Sequence, residues 1–190
     1  MDKEYEIKYH SEEENNWWFV ARRNAILKLL GKVDKSAKIL DIGCAGGPLL
    51  LDLKAAGFKN AYGLDFSENA VSKCKERGLE NVFVMDGHDP KFDTESFDII
   101  ISSDSLEHLE NDMKALKNWH TILKPNGTLF IFVPAFMYLW SEHDEINHHY
   151  RRYTSDNLKK KVESVGFKVE KESYWNFCMF FPTAIYKFLH

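Results

Sequence analysis

Basic residues, cysteines and long apolar runs are all scarce in this chain, and each scarcity removes a class of function. Lys and Arg number 25 against 29 Asp and Glu, a formal net charge of −4 at pH 7. No general excess of positive charge faces a phosphate backbone, so nucleic acid is not an expected partner. The three cysteines, Cys44, Cys74 and Cys178, are odd in number and far apart, a spacing that fits neither a metal knuckle nor a disulfide framework. Free thiols suit a reducing, cytoplasmic compartment. No apolar run approaches the roughly 20 residues of a bilayer-spanning helix. Met1-Asp2-Lys3-Glu4-Tyr5 carries charge where a signal peptide carries apolar residues. Repeats, low-complexity tracts and Gly/Ser linkers are also missing. What remains is 190 residues at 44% hydrophobic and 28% charged, the composition of one soluble globular domain with a sizeable core.

Periodicity then divides the chain. Asn16 to Leu30 reads as an amphipathic helix with Trp17, Val20, Ala21, Ile26 and Leu30 on one side, ended by Gly31. From Lys38 a strand–turn–helix theme begins: Ile39–Ile42, a glycine-rich turn, then a helix opened by Pro48, where a missing N–H costs nothing. Further strands are expected at 61–65, 81–85, 97–102 and 129–133, and a sixth starting at Phe167-Lys168-Val169. Ser67 is placed to cap the helix running to about Arg77; residues 111–123 and 155–165 supply two more helices, and Pro125-Asn126-Gly127 a turn. Strand and helix in alternation predict an α/β fold, a doubly wound, mostly parallel sheet with helices on both faces. The all-apolar run Ile99-Ile100-Ile101 suits a strand covered on both sides. In the last stretch, 176–190, aromatics abound and Pro182 is expected to interrupt any long helix or strand.

In such sheets ligands bind beyond the carboxyl ends of the strands, where strand order reverses. There stand Asp41-Ile42-Gly43-Cys44-Ala45-Gly46-Gly47 after the first strand, Asp65 after the second and Asp86-Gly87-His88 after the third. Glycines let the backbone approach a ligand and adopt left-handed conformations, and the following helix N-terminus suits an anionic group. A carboxylate at Asp65 can accept from ribose hydroxyls, and one at Asp86 from an exocyclic amine such as adenine N6. Each feature alone is a common tight turn or helix cap; in sequence the three outline a nucleoside-shaped site.

From about Lys38 to Gly166 these residues resemble the class I S-adenosylmethionine (SAM)-dependent methyltransferases, with their seven-stranded Rossmann-like sheet. Phe97–Ser103 through Leu106-Glu107-His108-Leu109 resembles the fourth-strand motif, and Leu123-Lys124-Pro125-Asn126-Gly127-Thr128-Leu129 the turn into strand five. Both are shared by small-molecule branches acting on quinones, lipids and sugars. Ala45 stands where the glycine signature has its middle glycine, and the aromatic tail replaces a regular seventh strand. The resemblance implies SAM as cofactor, S-adenosylhomocysteine as product, and a cofactor set of Asp41, Gly43, Cys44, Ala45, Gly46, Asp65, Phe66, Met85, Asp86, Gly87, His88 and Ser103. Residues 1–36 become a helical lid on a 37–175 core, with Arg22 reaching the methionine carboxylate and Trp17 shielding the methyl. A dehydrogenase would need Gly-x-Gly-x-x-Gly, which Gly43-Cys44-Ala45-Gly46-Gly47 does not supply; a non-catalytic SAM-binding subunit is the other alternative.

The expected acceptor is a small molecule, positioned in line with the S–CH3 bond. A hydroxyl acceptor needs a base, and His108, His143 and His149 are the candidates. Trp17, Trp18, Tyr138 and Tyr153 offer aromatic surface to the acceptor, and Arg151 and Arg152 an anion clamp, unless they simply face water. His, Asp and Glu in 143–149 are also metal ligands, but their spacing matches no standard zinc motif, and no metal is expected. The C-terminal segment is open to peripheral membrane contact, dimer formation or packing on the domain.

Overall fold

The computed structural model describes residues 14–175 and 177–189. Its sheet has five strands: β1 (Lys38–Ile42), β2 (Asn60–Asp65), β3 (Val82–Val84), β4 (Phe97–Ser103) and β5 (Leu123–Phe132), all parallel, in the order β3-β2-β1-β4-β5. The order reverses between β1 and β4, so the crevice that such a sheet offers a ligand opens at their carboxyl ends.

Alternation along the strands assigns the two faces. Ile39, Ile99 and Ile101 pack with Ile26 and Leu30 at the end of α1 (Trp17–Leu29), Leu49, Leu50 and Leu53 of α2 (Pro48–Ala55), and Val71 and Cys74 of α3 (Glu68–Glu76). Leu40, Ile42 and Ile100 point the other way, against Leu116, Trp119 and Ile122 of α4 (Asp112–Ile122) and Val162 of α6 (Ser155–Ser164). A period of two sends neighbouring apolar residues to opposite faces, so the central strands are apolar at almost every position. Local chemistry sets the helix starts. Ser67 accepts from the Ala70 N–H at 3.2 Å, Asn16 from Trp18 at 3.0 Å and Asn111 from Lys114 at 2.9 Å, each satisfying a first-turn donor.

Trp119 is fully buried and its Nε1 donates to the Gly87 carbonyl at 2.8 Å, tying α4 to the loop after β3. Trp119→Ala removes the largest fully buried side chain and is expected to cost about 3–5 kcal/mol, read as a lowered denaturant midpoint at unchanged slope.

Four expectations need correction. The buried stripe of α1 is Arg22 and Ile26, continued by Leu30, whereas Trp17 is 61% exposed; positions four apart line one helix face, and Trp17 falls off that stripe. Pro125-Asn126-Gly127 lies inside β5, where a register shift between Phe97 and Ile99 absorbs it. No sixth strand forms at 167–169 among the described residues: Phe167 instead sets its ring edge-on to His120 at 4.9 Å and joins Val169 against the α4–α6 face. Pro182 does not stop α7 (Phe180–Leu189) but sits in its first turn, where no intrahelical carbonyl awaits its missing N–H. Among the described residues, no helix is long and apolar enough to cross a membrane.

Candidate active site

The glycine-rich turn is shaped by what surrounds it. Gly43 has φ +75° and Gly47 φ +82°, the left-handed region that glycine adopts without strain. Both are also crowded: a Cβ on Gly43 would collide with the Ser105 hydroxyl, and one on Gly47 would lie 2.5 Å from Leu79 and 2.9 Å from Cys74. Ser105 Oγ donates to the Ile42 carbonyl at 2.5 Å, joining the ends of β1 and β4. The Cys44 side chain turns inward, 3% exposed. A hydrogen bond with Cys74, together with burial, holds its thiol well above the usual range, and its backbone is engaged as well: the N–H donates to the Leu64 carbonyl at 3.0 Å and the carbonyl accepts from the Gly47 N–H at 2.9 Å. Gly46 accepts from Arg77 at 2.8 Å. Asp41, 4% exposed, underlies the turn from within the sheet.

Ala45, in the place of a glycine, takes φ +48° and donates its N–H to Asp65 Oδ2 at 2.9 Å. A left-handed residue bearing a Cβ costs roughly 1–2 kcal/mol. Ala45→Gly removes that cost against some added chain entropy, and is expected to raise stability by about 1 kcal/mol, seen as a higher melting temperature.

Asp65, 8% exposed at the end of β2, also accepts from Ser67 N at 2.9 Å on Oδ1. Next to it Phe66 is 78% exposed, an apolar ring held out at the rim. Beyond β3, Asp86 Oδ1 accepts from His88 N at 2.8 Å and meets His88 Nδ1 at 2.7 Å. These bonds outweigh the opposing effect of partial burial and hold Asp86 below the usual carboxylate range. Met85 is half-buried, and a Cβ on Gly87 would just touch Ile42 and Leu109.

On the other side of β4, past Ser103, lies the second half of the site. Arg22 of α1 pairs with Asp104 and lies 5.3 Å from the rings of both Trp18 and Trp175. The chain then turns through a short 3-10 helix, Leu106–His108, which buries Glu107 completely and places the His108 ring 4.6 Å from that of His149, edge to face. Burial pushes Glu107 up to about 8. Burial, with the neighbouring His149, brings His108 down to about 4, so at neutral pH its imidazole is uncharged and able to accept. His149 is lowered by burial too. Its Nδ1 lies 2.8 Å from Asp144 Oδ1. Asp144 is in turn gripped at both oxygens by Arg152, at 2.8 Å each. Although burial opposes it, these bonds hold Asp144 at about 2.

A cavity of about 2090 Å³ is lined by Glu107, His108, His143, His149, Phe136 and Leu139 among others. It exceeds an ordinary ligand pocket of roughly 300–1,000 Å³ because it continues along the open edge of β5. Asp65 and Asp86 lie outside its lining. The crevice thus has a carboxylate-and-glycine side on β1–β3 and a histidine-and-aromatic side beyond β4.

The methyltransferase-domain family matches residues 17–172, most of the chain and both sides of this crevice. This chain belongs to the class I SAM-dependent methyltransferases. Among curated relatives, the ubiquinone biosynthesis O-methyltransferase of Coxiella burnetii is 30% identical over 145 residues, 68% of this chain and 61% of that one. The demethylmenaquinone methyltransferase of Staphylococcus epidermidis is 38% identical over 101 residues, 50% and 42% of the two chains. The match therefore spans less than two thirds of each of these relatives. Among solved structures, phosphoethanolamine N-methyltransferase 2 of Haemonchus contortus in complex with SAM superposes with a TM-score of 0.75 at 21% identity, over 97% of this chain and 46% of that one; at that identity the likeness is one of fold.

Within this chain several expected acceptor residues are engaged elsewhere. Arg151 donates to the carbonyls of Leu109 and Glu110, at 2.7 and 2.5 Å. Arg152 holds Asp144 and the Ala135 carbonyl. Tyr153 is 2% exposed and donates to Asp112 at 2.9 Å. These three brace the loop that carries His149 rather than presenting a clamp. Trp17 faces outward and Trp18 inward onto Arg22. His143 hydrogen-bonds Asn147 and stands 6.2 Å from His149, ring to ring. Tyr138 stacks on Phe136 at 5.3 Å.

The structure adds Ser105, Glu107 and Asp144 to the candidate site. A carboxylate between Leu106 and His108 in an apolar setting was a readable sign of a buried acid. The five-residue step from Asp144 to His149 gave no periodic signal, because a short helix, α5 (Glu142–Ile146), and a turn bring them together.

Proposed function

We propose that this protein transfers the methyl group of SAM to a hydroxyl oxygen of a small, largely apolar aromatic molecule. The observation that carries the reading is the pairing of two unlike half-sites across the β1–β4 boundary. Asp65 and Asp86, with Phe66 at the rim, suit the ribose, the adenine amine and an adenine face. The turn Gly43–Gly47 and the α2 N-terminus suit the methionine end. SAM supplies an already electrophilic methyl on a sulfonium. What the chain adds is orientation, exclusion of water and a place for the acceptor's proton.

Uncharged His108 and His149, with Asp144 behind His149, fit the last of these tasks. A hydroxyl held beside them loses its proton as its oxygen attacks the methyl. The S–CH3 bond breaks, and its electron pair stays on sulfur as neutral S-adenosylhomocysteine. Arg151 and Arg152 are bound internally, which favours an uncharged acceptor over an anion. The stacked rings of Phe136 and Tyr138, and of Phe136 and Tyr174 at 4.9 Å, favour a planar apolar one. Kinship to methyltransferases named for quinone pathways supports the same class.

Calorimetry with SAM and S-adenosylhomocysteine, then methyl-labelled SAM offered with hydroquinones, catechols and simple phenols, tests the proposal. Binding of both nucleosides with label appearing in an aryl methyl ether is expected. Binding without turnover on any acceptor points to a non-catalytic SAM-binding subunit, and absence of binding overturns the cofactor assignment.

A further inference from the structure

Glu107 has no structural need that the fold meets. It is 0% exposed, and neither carboxylate oxygen has a hydrogen-bond partner. A buried carboxylate left this way is costly. The cations nearest to it already have their own acids: Arg22 pairs with Asp104, and Arg152 with Asp144. Helix packing alone would be served better by an apolar residue between Leu106 and the core.

One ligand atom from each of Glu107, His108 and His149 lies within 4.8 Å of the others. We propose that these three side chains hold a divalent transition-metal ion, with coordination positions left open toward the acceptor cavity. Bonds of about 2.0–2.2 Å to nitrogen and oxygen place ligand atoms roughly 3–4 Å apart, so side-chain rotations of about 1 Å complete the site. Two imidazoles and a carboxylate select Zn²⁺, Mn²⁺ or Fe²⁺ over Mg²⁺ or Ca²⁺, which take oxygen.

The surroundings match what such ligands require. A metal-bound histidine gives its second ring nitrogen to a carboxylate or carbonyl, which fixes the tautomer and aims the other nitrogen at the ion. His149 has Asp144 in that role, at 2.8 Å from Nδ1. His108 has the backbone of Asn147. Asp144 is itself fixed by Arg152 and by the Ser141 N–H at 2.8 Å, so the His149 ring is held from two shells away. The open positions face the cavity that Glu107, His108 and His149 line, where an acceptor oxygen would meet the ion.

The test uses the untagged full chain, stripped with a chelator and free of SAM and acceptor. Zn²⁺ is titrated by calorimetry and Co²⁺ by its visible absorption. One equivalent is expected to bind with a roughly micromolar or tighter dissociation constant, giving a Co²⁺ spectrum of nitrogen and oxygen ligation. Glu107→Gln and His149→Ala each weaken binding at least about tenfold, and Asp144→Asn does so by about 10–100-fold through His149. His120→Ala, at the far His120–Phe167 contact, leaves binding unchanged. Melting curves of the metal-free variants verify folding, and Glu107→Gln is close to isosteric. No saturable binding, or an unchanged constant in Glu107→Gln, overturns the site and leaves Glu107 as a buried neutral acid. Because SAM is absent, either result is separate from the fate of the methyl-transfer reading.

Discussion

Asp65→Ala is expected to raise the dissociation constants of both SAM and S-adenosylhomocysteine by roughly 100-fold. Asp65 does two things from one position. Its oxygens hold the N–H groups of Ala45 and Ser67, each at 2.9 Å, which pins the glycine turn of β1 to the end of β2. An ionised carboxylate has about four acceptor sites, so one carboxylate can serve backbone N–H groups and ribose hydroxyls together. Hydrogen bonds to a charged group contribute about 1.5–3 kcal/mol each, and about 2.7 kcal/mol is a hundredfold. Alanine removes the pin and, with it, the ribose contacts proposed for this carboxylate. Calorimetry with each nucleoside measures the change, and Asp65→Asn, which keeps one acceptor, falls between. A shift below about threefold in a folded Asp65→Ala protein would place the ribose elsewhere.

His149→Ala is expected to lower kcat on the acceptor found in the screen by about 100- to 1,000-fold, in the range of a positioned acid–base group, while SAM affinity stays within about twofold. The ring lines the large cavity beyond β4, across that strand from Asp65 and Asp86, so the two variants are expected to separate: one weakens cofactor binding, the other turnover. Loss of turnover follows whether His149 takes the proton itself or holds the ion that acidifies the hydroxyl. Burial lowers both His108 and His149. The acid limb of the kcat profile should therefore lie below the ordinary imidazole value of about 6.5, because these rings stay neutral to lower pH. Asp144→Asn removes the group that raises His149, so it is expected to slow turnover without moving that limb upward. An acid limb above about pH 7 would contradict this assignment.

The side of the crevice proposed for the cofactor was legible because it is local. A short apolar strand, a glycine turn, a helix opened by proline, and acids at the next two strand ends are all contiguous patterns, and the parallel order of the sheet turns those ends into neighbours. Even so, the sequence was silent on why Gly43 and Gly47 must be small: Ser105 and Leu79, from other elements, fill the space a Cβ would need. The apolar segment after Gly166 looked like a strand because half-burial alone produces that pattern. Packing on α4 and α6 met the same demand without a ladder.

The side proposed for the acceptor was not legible, for a physical reason. Its residues come from a 3-10 turn after β4, a short helix and a loop after β5, brought together by contacts distant in sequence. Arg151 and Arg152 looked like an anion clamp, since density of charge says nothing about which partner a charge has. The structure gives Arg152 to Asp144 and Arg151 to two carbonyls. By itself, then, the sequence determined the sheet, its covered faces and the strand ends where a nucleoside would lie, since periodicity and turn chemistry are properties of neighbouring residues. Only the tertiary structure decided that Glu107 is buried without a partner beside His108 and His149. Which groups a buried side chain meets is a property of the whole packed chain, and no local pattern encodes it.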